Sequence, residues 1–277
     1  MIPFVKAHAC GNDFLIVEEP LNGLQKLEGS QNEARYAEIA RRLCARNTGI
    51  GADGIEYLSL SNNGSFAIRL FNADGSEAEI SGNGTRCVAA YLAQQQDTDE
   101  ISIRTHAGVR RCHVLERDYP RYRISTEMGI PGVEPKTITL KDGTQVAGLD
   151  VSIGNPHFVI FVETKNFECF GRPWQQIGEE ICTHKSFSKG TNVEFVRVID
   201  TNTIEFRIYE RGAGPTQSSG TGTSASAAAS IRTRDVSRSL TVIAEGGEQS
   251  VEWPEDNANL LLTGPAEIIA QGECLLL

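Results

Sequence analysis

The order of apolar and polar residues along the chain follows two different periods and predicts a mixture of strands and helices. Short apolar runs at residues 55–60 and 66–71 predict two strands, which the sequence Asn62-Asn63-Gly64 joins as a hairpin. Between Asn32, which is placed to cap a helix, and Leu43, apolar residues recur at helical spacing instead. Both element types therefore occur within the first quarter of the chain.

The second half repeats this order of elements. A strand over residues 5–18 is interrupted by a loop at 9–13, and a strand over residues 151–162 is interrupted at Gly154-Asn155-Pro156-His157. The remaining apolar segments predict helices at residues 82–93 and 174–183, and a third helix that opens near Gly220 and is rich in alanine and serine over residues 224–231. They predict strands at residues 101–105, 108–115, 122–126, 191–198, 203–209, 240–244, 250–253 and 260–262.

One small motif occurs twice, and it explains the repeated order. Ser81-Gly82-Asn83-Gly84-Thr85 recurs 138 residues later as Ser219-Gly220-Thr221-Gly222-Thr223. The match extends backwards without a gap, so that residues 68–72 align with residues 206–210. A duplicated half-domain with one site built from both copies is the simplest interpretation. Chance similarity between glycine-rich turns accounts less well for a gapless register.

Composition and charge limit the classes of function. The 277 residues are enough for two domains with sizeable cores. The net charge is −10 without any basic run, which argues against nucleic acid or an anionic membrane as a partner. An anionic small molecule is still compatible with this charge, because local backbone amides can bind it.

The cysteines and the termini predict a cytoplasmic protein without a metal site. The N-terminus lacks the pattern of a signal peptide, and no apolar run approaches the roughly 20 residues of a membrane span. The seven cysteines are odd in number and form no CxxC pair. Reduced thiols are therefore expected, and neither Cys112-His113 nor Cys182-Thr183-His184 has the second ligand pair that zinc needs.

Both copies of the motif place a serine before Gly-x-Gly at the predicted start of a helix. Glycine lets a backbone approach a ligand closely, and the N–H groups at a helix N-terminus bind anions. Two such ends could hold one carboxylate between them. Each copy alone fits a plain helix cap better, since neither completes a dinucleotide or phosphate-loop motif.

Seven ordered motifs, spread over essentially the whole chain, resemble the diaminopimelate epimerase family. They are Gly11-Asn12-Asp13-Phe14, Gly49-Ile50-Gly51-Ala52-Asp53-Gly54, Phe71-Asn72-Ala73-Asp74-Gly75-Ser76-Glu77, Gly82-Asn83-Gly84-Thr85-Arg86-Cys87, Gly154-Asn155-Pro156-His157, Gly190-Thr191-Asn192-Val193 and Glu210-Arg211-Gly212-Ala213-Gly214. The resemblance implies an isomerase of amino-acid and lysine biosynthesis that interconverts LL- and meso-diaminopimelate without pyridoxal phosphate or another cofactor. It uses two thiols on opposite faces of the α-carbon.

The resemblance also implies an α+β fold of two pseudo-symmetric domains, each a barrel-like sheet wrapped around a central helix. The expected domains are residues 1–128, joined by a C-terminal strand at 264–277, and residues 129–263, with the active site in the cleft between them. The expected partner is a small amino-acid substrate, and a homodimer is possible.

The chain departs from the family at both acid–base positions. The two catalytic cysteines of the family fall on Ser81 and Ser219. A thiol with a pKa near 8.5 exchanges protons with an activated C–H bond at neutral pH far more readily than a serine hydroxyl. Cys87 lies on another side of the predicted helix and cannot simply replace Ser81. Pro215 is a further departure, since the family usually has glutamate there.

The resemblance assigns roles to other residues of this sequence. His157 and Glu210 tune the acid–base pair, and Arg211 is chemically suited to pair with a distal carboxylate. The residues that hold the substrate or clamp its α-carboxylate are Asn12, Asn72, Gly82, Asn83, Asn155, Asn192, Arg211, Gly220 and Thr221. Taken alone, each asparagine fits a turn residue, and His157 fits a hydrogen-bonded core histidine.

Four hypotheses are consistent with serine at both positions. The chain could be an ordinary epimerase altered at two positions, or a naturally divergent one in which His157 or Glu210 activates the hydroxyls. It could instead be a related dehydratase or an epimerase of hydroxyproline type with the same fold. The fourth hypothesis is a protein that binds an amino acid without turning it over.

Overall fold

The computed structural model describes residues 1–19, 30–60 and 65–275, and these residues form two compact units. Unit 1 is Met1–Thr126 with Gly264–Leu277, and unit 2 is Glu127–Thr263. The strands are β1 (Ile2–Ala9), β2 (Asn12–Glu18), β3 (Gly54–Leu60), β4 (Phe66–Asn72), β5 (Glu77–Ala78), β6 (Glu100–Thr105), β7 (Gly108–Asp118), β8 (Arg121–Gly129), β9 (Gly132–Thr139), β10 (Gln145–Ser152), β11 (Pro156–Phe161), β12 (Asn192–Asp200), β13 (Thr203–Glu210), β14 (Gly214–Thr216), β15 (Ser239–Ala244), β16 (Gly247–Glu252) and β17 (Leu260–Cys274). The helices are α1 (Ser30–Cys44), α2 (Gly82–Gln95), α3 (Trp174–Cys182) and α4 (Gly220–Thr233).

The strands of unit 1 close into a barrel. Antiparallel pairs join β1 to β2, β3 to β4, β6 to β7 and β7 to β8, while β2 pairs parallel with β3 and β4 parallel with β6. β17 pairs with both β8 and β1 and so completes the ring. A closed ring leaves no unpaired edge at these eight strands.

The strands of unit 2 follow the same pairing pattern. Antiparallel pairs join β9 to β10, β10 to β11, β12 to β13 and β15 to β16, while β11 pairs parallel with β12 and β13 parallel with β15. Residues of β17 that belong to this unit continue the sheet beside β16. The order of parallel and antiparallel neighbours thus matches that of unit 1.

Each unit encloses one helix. α2 is buried from Gly82 to Ala93 and contacts β1, β2, β3, β6 and β7. α4 is buried from Gly220 to Ser230 and contacts β9 to β13, β15 and β16. Its alanines and serines let strands approach on every side, and hydroxyls such as that of Ser224 bond to the carbonyl four residues earlier. The predicted α+β class with a sheet around a central helix in each half is confirmed.

The two outer helices cover one sheet face each. In α1, Ile39 and Leu43 join a core cluster with Tyr57 and Phe71. In α3, Ile177 packs in a second cluster, in the other unit. Both helices therefore bury the apolar stripe that the helical spacing predicted.

Three local expectations need correction or lie outside the description. α1 begins at Ser30, so Asn32 lies within its first turn and is not the cap. The predicted turn at Asn62-Asn63-Gly64 falls outside the described residues, although the flanking strands pair. Strand β9 was not predicted, because Pro135 within it is a poor strand former and its partner β10 supplies the register.

In the described part of the chain, no helix is both long and apolar enough to span a bilayer.

Candidate active site

Ser81 and Ser219 are the N-caps of the two enclosed helices. Both have extended backbone angles, and each side-chain oxygen accepts the N–H of the glycine three residues later: Gly84 at 3.0 Å and Gly222 at 3.2 Å. Serine is a favoured cap because this bond satisfies one donor that the first turn leaves open. The repeated motif therefore builds the same cap in each unit.

Each serine forms a half-site together with the two residues that follow it. Each half-site lies at the positive end of a helix macrodipole. Gly82 and Asn83 begin α2, and Gly220 and Thr221 begin α4. The N–H groups of these first positions have no carbonyl one turn earlier within their own helix, so they are suited to an anion. Neither first turn contains an acidic residue that would oppose this charge.

In unit 1, a chain of amide contacts orders the residues beside Ser81. Asn83 Nδ2 donates to Asn12 Oδ1 at 3.1 Å, and Asn12 Nδ2 donates to Asp53 Oδ2 at 2.8 Å. The buried Arg86 donates to Asn83 Oδ1 at 2.6 Å. The predicted residues Asn12 and Asn83 are therefore brought together with fixed amide orientations.

Cations anchor the far end of this chain. Arg46 Nη2 lies 2.7 Å from Asp53 Oδ1 and 2.8 Å from Asp13 Oδ1, while Lys6 Nζ lies 2.9 Å from Asp13 Oδ2. Burial alone would raise the pKa of the Asp13 carboxyl, but hydrogen bonds from Arg46 and Lys6 outweigh it and hold that pKa below its usual range. The Asp13 carboxylate is thus ionised, and the contacts of Asp13 and Asp53 hold the Asn12 loop in place.

In unit 2, a continuous series of polar contacts runs from a buried carboxylate to Ser219. Glu194 Oε1 lies 2.6 Å from His157 Nδ1, and His157 Nε2 lies 2.8 Å from Asn155 Oδ1. Asn155 Nδ2 donates to Thr221 Oγ1 at 3.3 Å, and Thr221 Oγ1 lies 3.4 Å from Ser219 Oγ. Four of the predicted residues are therefore assembled around one helix start.

The donor directions in this series indicate how the His157 ring is hydrogen-bonded. Asn155 gives its amide hydrogen to Thr221, so its oxygen accepts from His157 Nε2–H. The other ring nitrogen, Nδ1, then faces the Glu194 carboxyl. Burial raises the pKa of the Glu194 carboxyl, and the neighbouring imidazole offsets this only in part.

A third group of predicted residues lies at the ends of β12 and β13. Asn192 accepts the N–H of Arg211 at 2.9 Å and donates to the Pro156 carbonyl at 3.1 Å. Arg211 Nη1 donates to the Lys189 carbonyl at 3.1 Å, and Glu210 accepts the hydroxyl of Thr216. These bonds hold the Glu210-Arg211 segment in place, and Arg211 as a residue is partly exposed.

Asn72 makes its hydrogen bonds within the turn that follows β4. Its Nδ2 donates to Ser76 Oγ at 3.0 Å, and its backbone N–H donates to the Ser76 carbonyl at 2.9 Å. The side chain therefore stabilises the turn after β4, as asparagine often does. Its predicted contact with a substrate stays a prediction.

Cys87 does not supply a thiol to the Ser81 half-site. Its side chain is completely buried within α2, and burial raises its pKa well above the usual range. A buried neutral thiol is unreactive. This agrees with the expectation that Cys87 points elsewhere on the helix.

Two functional candidates were missed from the sequence: Glu56 in β3 and Glu194 in β12. Both are completely buried, and they are 138 residues apart, the same offset as Ser81 and Ser219. A single acidic residue within an apolar strand, repeated at the offset of the serines, is the signal that could have identified them.

Comparisons with known proteins show similarity to one family along nearly the whole chain. A family model described as "Diaminopimelate epimerase" matches residues 4–132 and 150–269. A diaminopimelate epimerase from Methanococcus maripaludis is 35% identical over 285 residues, covering 98% of each chain. One from Pelotomaculum thermopropionicum is 36% identical, with the same coverage.

Solved structures share the fold at low sequence identity. A probable proline racemase from Agrobacterium radiobacter has a TM-score of 0.75 and 14% identity, covering all of this chain and 93% of its own. A hydroxyproline epimerase from Agrobacterium vitis has a TM-score of 0.74 and 14% identity, covering 98% of this chain and 91% of its own. This likeness concerns the fold alone.

Proposed function

Because the chain belongs to the diaminopimelate epimerase family, we propose that it interconverts LL- and meso-diaminopimelate by proton exchange at one α-carbon, without a cofactor. The main support is the serine-capped helix start in each unit, at the two positions that the family reserves for its acid and base. The second support is the ordered polar chain beside each serine.

The proposed reaction needs an acid and a base on opposite faces of the α-carbon. One side chain removes the α-hydrogen while the other delivers a proton to the opposite face, so the configuration inverts. The N–H groups of Gly82, Asn83, Gly220 and Thr221 bind the α-carboxylate, and the helix ends stabilise the negative charge that develops on it. This proposal requires both half-sites to act on one substrate molecule.

The protein also recognises the distal end of the substrate, which carries the second ammonium and carboxylate groups. Arg211 pairs with the distal carboxylate, and its backbone is fixed by Asn192. Asn12, Asn72 and Asn155 provide amide oxygens and nitrogens for the ammonium and carboxylate groups. A monocarboxylic amino acid lacks the group that Arg211 recognises.

The serines determine how fast this reaction runs. A hydroxyl is a much weaker acid than a thiol, so turnover is slow unless a neighbouring group assists. The contact series from Glu194 and His157 to Ser219 is the assistance that unit 2 offers, and Glu210 is a further candidate. We therefore propose an epimerase with reduced activity toward diaminopimelate.

The test is uptake of solvent deuterium at the α-carbon of diaminopimelate in heavy water, without added pyridoxal phosphate. Slow uptake that Ser81→Ala and Ser219→Ala abolish is the expected result. 4-Hydroxyproline, examined for both exchange and loss of water, is the competing substrate. Tight binding of diaminopimelate with no exchange at all would instead indicate a binding protein.

A further inference from the structure

Glu56 is a buried carboxyl without a role in the proton-exchange steps proposed above. It lies in the middle of β3, where its neighbours in register are the apolar residues Ile16 and Leu70. Its side chain is completely buried, and among the described residues neither carboxyl oxygen has a hydrogen-bond partner. A buried polar group without a partner is destabilising, and such groups concentrate at functional sites.

The Glu56 carboxyl lies against the first turn of α2. A methyl carbon placed on Gly84 would be 2.0 Å from Glu56 Oε1 and 3.2 Å from Ser81 Cβ. The carboxyl and the Ser81 side chain therefore flank the same point on the helix. Only glycine at position 84 leaves room for the carboxyl to approach this closely.

Unit 2 places a glutamate in the equivalent position. A methyl carbon on Gly222 would be 3.2 Å from both Glu194 Oε1 and Ser219 Cβ. Glutamate, serine and glycine thus recur together at one offset of 138 residues. In unit 2 the glutamate belongs to the contact series that ends at Ser219.

The two units differ in the partner of that glutamate. His157 pairs in register with Asn192, and Phe14 pairs in register with Gly54, the residue 138 positions before Asn192. Phe14 therefore occupies in unit 1 the place of His157. Among the described residues no imidazole pairs with Glu56, so it lacks the partner that partly offsets burial at Glu194.

Glu56 is consequently a neutral acid at neutral pH. Burial raises its pKa to about 8. Within the described parts of the chain, the titratable group that interacts with Glu56 is the Cys87 thiol on α2, which burial also keeps neutral, while β2 and β4 present Ile16 and Leu70.

We propose that Glu56 is the positioning residue of the Ser81 half-site and holds the proton that the Ser81 hydroxyl exchanges with the α-carbon. This inference rests on the proposed epimerisation. The Ser81 oxygen has two lone pairs, of which the Gly84 N–H uses one, so the other can accept from the Glu56 carboxyl.

The proton transfers balance. When Ser81 protonates the α-carbon, its O–H bond breaks and a C–H bond forms, and Glu56 then gives its proton to the Ser81 oxygen and becomes a carboxylate. In the opposite direction the Glu56 carboxylate takes the hydroxyl proton as Ser81 takes the α-hydrogen.

The first experiment measures deuterium uptake by diaminopimelate against pH for the wild type, Glu56→Gln and Glu56→Asp. Glu56→Gln should lower kcat by about 10²-fold with little change in KM, and should remove the activity change centred near pH 8. Glu56→Asp should restore part of both. The matched control is Glu18→Gln, the same chemical change at a residue that bonds Tyr91 near the other end of α2.

An unchanged kcat and pH profile in Glu56→Gln would overturn the inference. A uniform loss of activity that tracks thermal stability in all variants, with the pH profile kept, would also overturn it, since that pattern belongs to a structural role.

The second experiment needs no turnover. Ser81→Cys introduces a thiol at the cap, and its alkylation by iodoacetamide is followed against pH with and without Glu56→Gln. Ionisation of Glu56 should slow alkylation above about pH 8, and the slowing should vanish with Glu56→Gln but persist with Glu18→Gln. Identical profiles in all three backgrounds would refute the coupling. If coupling is found but diaminopimelate exchanges no deuterium, the proposed substrate fails and the pairing of Glu56 with position 81 stands.

Discussion

Glu194 Oε1 lies 2.6 Å from Nδ1 of His157, and both side chains are completely shielded from solvent. A buried pair of this kind is held by its own hydrogen bond, and removing one member leaves the other uncompensated. The pair also stands at the start of the polar series that reaches Ser219. Its integrity therefore bears on the stability of unit 2 and, under the proposed function, on the chemistry of Ser219.

The first prediction concerns this pair. His157→Phe, which reproduces the arrangement at Phe14, should lower the free energy of unfolding by about 3–5 kcal/mol near neutral pH. The loss should shrink on acidification, because without the imidazole the pKa of the Glu194 carboxyl rises further in the folded protein. A carboxyl whose pKa is raised by folding causes no loss of stability below its pKa in the unfolded chain. The protein loses stability as the pH rises above that pKa. Urea denaturation across the pH range measures this, and a pH-independent loss would contradict it.

The second prediction follows from the charge state of Glu56. In the folded protein its pKa is about 8 against an ordinary 4.5, so the folded state binds the extra proton between these values. Stability should therefore fall as pH rises from about 4.5 to about 8, by roughly 5 kcal/mol at most. In Glu56→Gln this fall should be absent. Parallel wild-type and variant curves would show that Glu56 does not titrate in this window.

The third prediction tests the close approach at Gly84. Gly84→Ala should destabilise the protein by about 1–3 kcal/mol or more, because the new methyl would overlap the Glu56 carboxyl. Gly132→Ala is the control, since its methyl would meet only Ser152 Cβ at 3.9 Å. Adding Glu56→Ala should recover much of the loss at position 84, and strict additivity of the two changes in thermal melts would argue against the contact.

The fourth prediction concerns proton-transfer strength. Replacing both serines by cysteine, Ser81→Cys with Ser219→Cys, should raise the rate of deuterium uptake by diaminopimelate strongly, since each acid or base typically contributes about 10²–10⁴-fold. Either single change should help less, because inversion needs a donor on one face and an acceptor on the other. A wild type that already turns over as fast as the double variant would show that two thiols are not required here.

The fifth prediction concerns substrate selection. Arg211→Ala should weaken binding of diaminopimelate by about 2–4 kcal/mol and binding of a monocarboxylic amino acid far less. Arg211→Lys keeps the charge without the two-pronged geometry, so its affinity for diaminopimelate should lie between those of the wild type and Arg211→Ala. Isothermal calorimetry compares the ligands directly, and equal losses for both would remove Arg211 from the distal carboxylate.

The sequence by itself determined the repeated architecture. The motif at Ser81 and Ser219 recurs in one register, and each copy became a capped, enclosed helix because serine caps and small residues favour that outcome locally. The ordered motifs also identified the family. These features depend on neighbours in the sequence, so a linear pattern is sufficient to predict them.

Only the tertiary structure decided how distant residues combine. It joined Glu194 to His157 across 37 positions and set Glu56 against Gly84, contacts that depend on strand register and on the distance between sheet and helix. It also added β9, whose pairing comes from β10 and overrides a poor local strand propensity. The charge states of the buried carboxyls belong to this second class, because burial is a property of the packed fold and of no single segment.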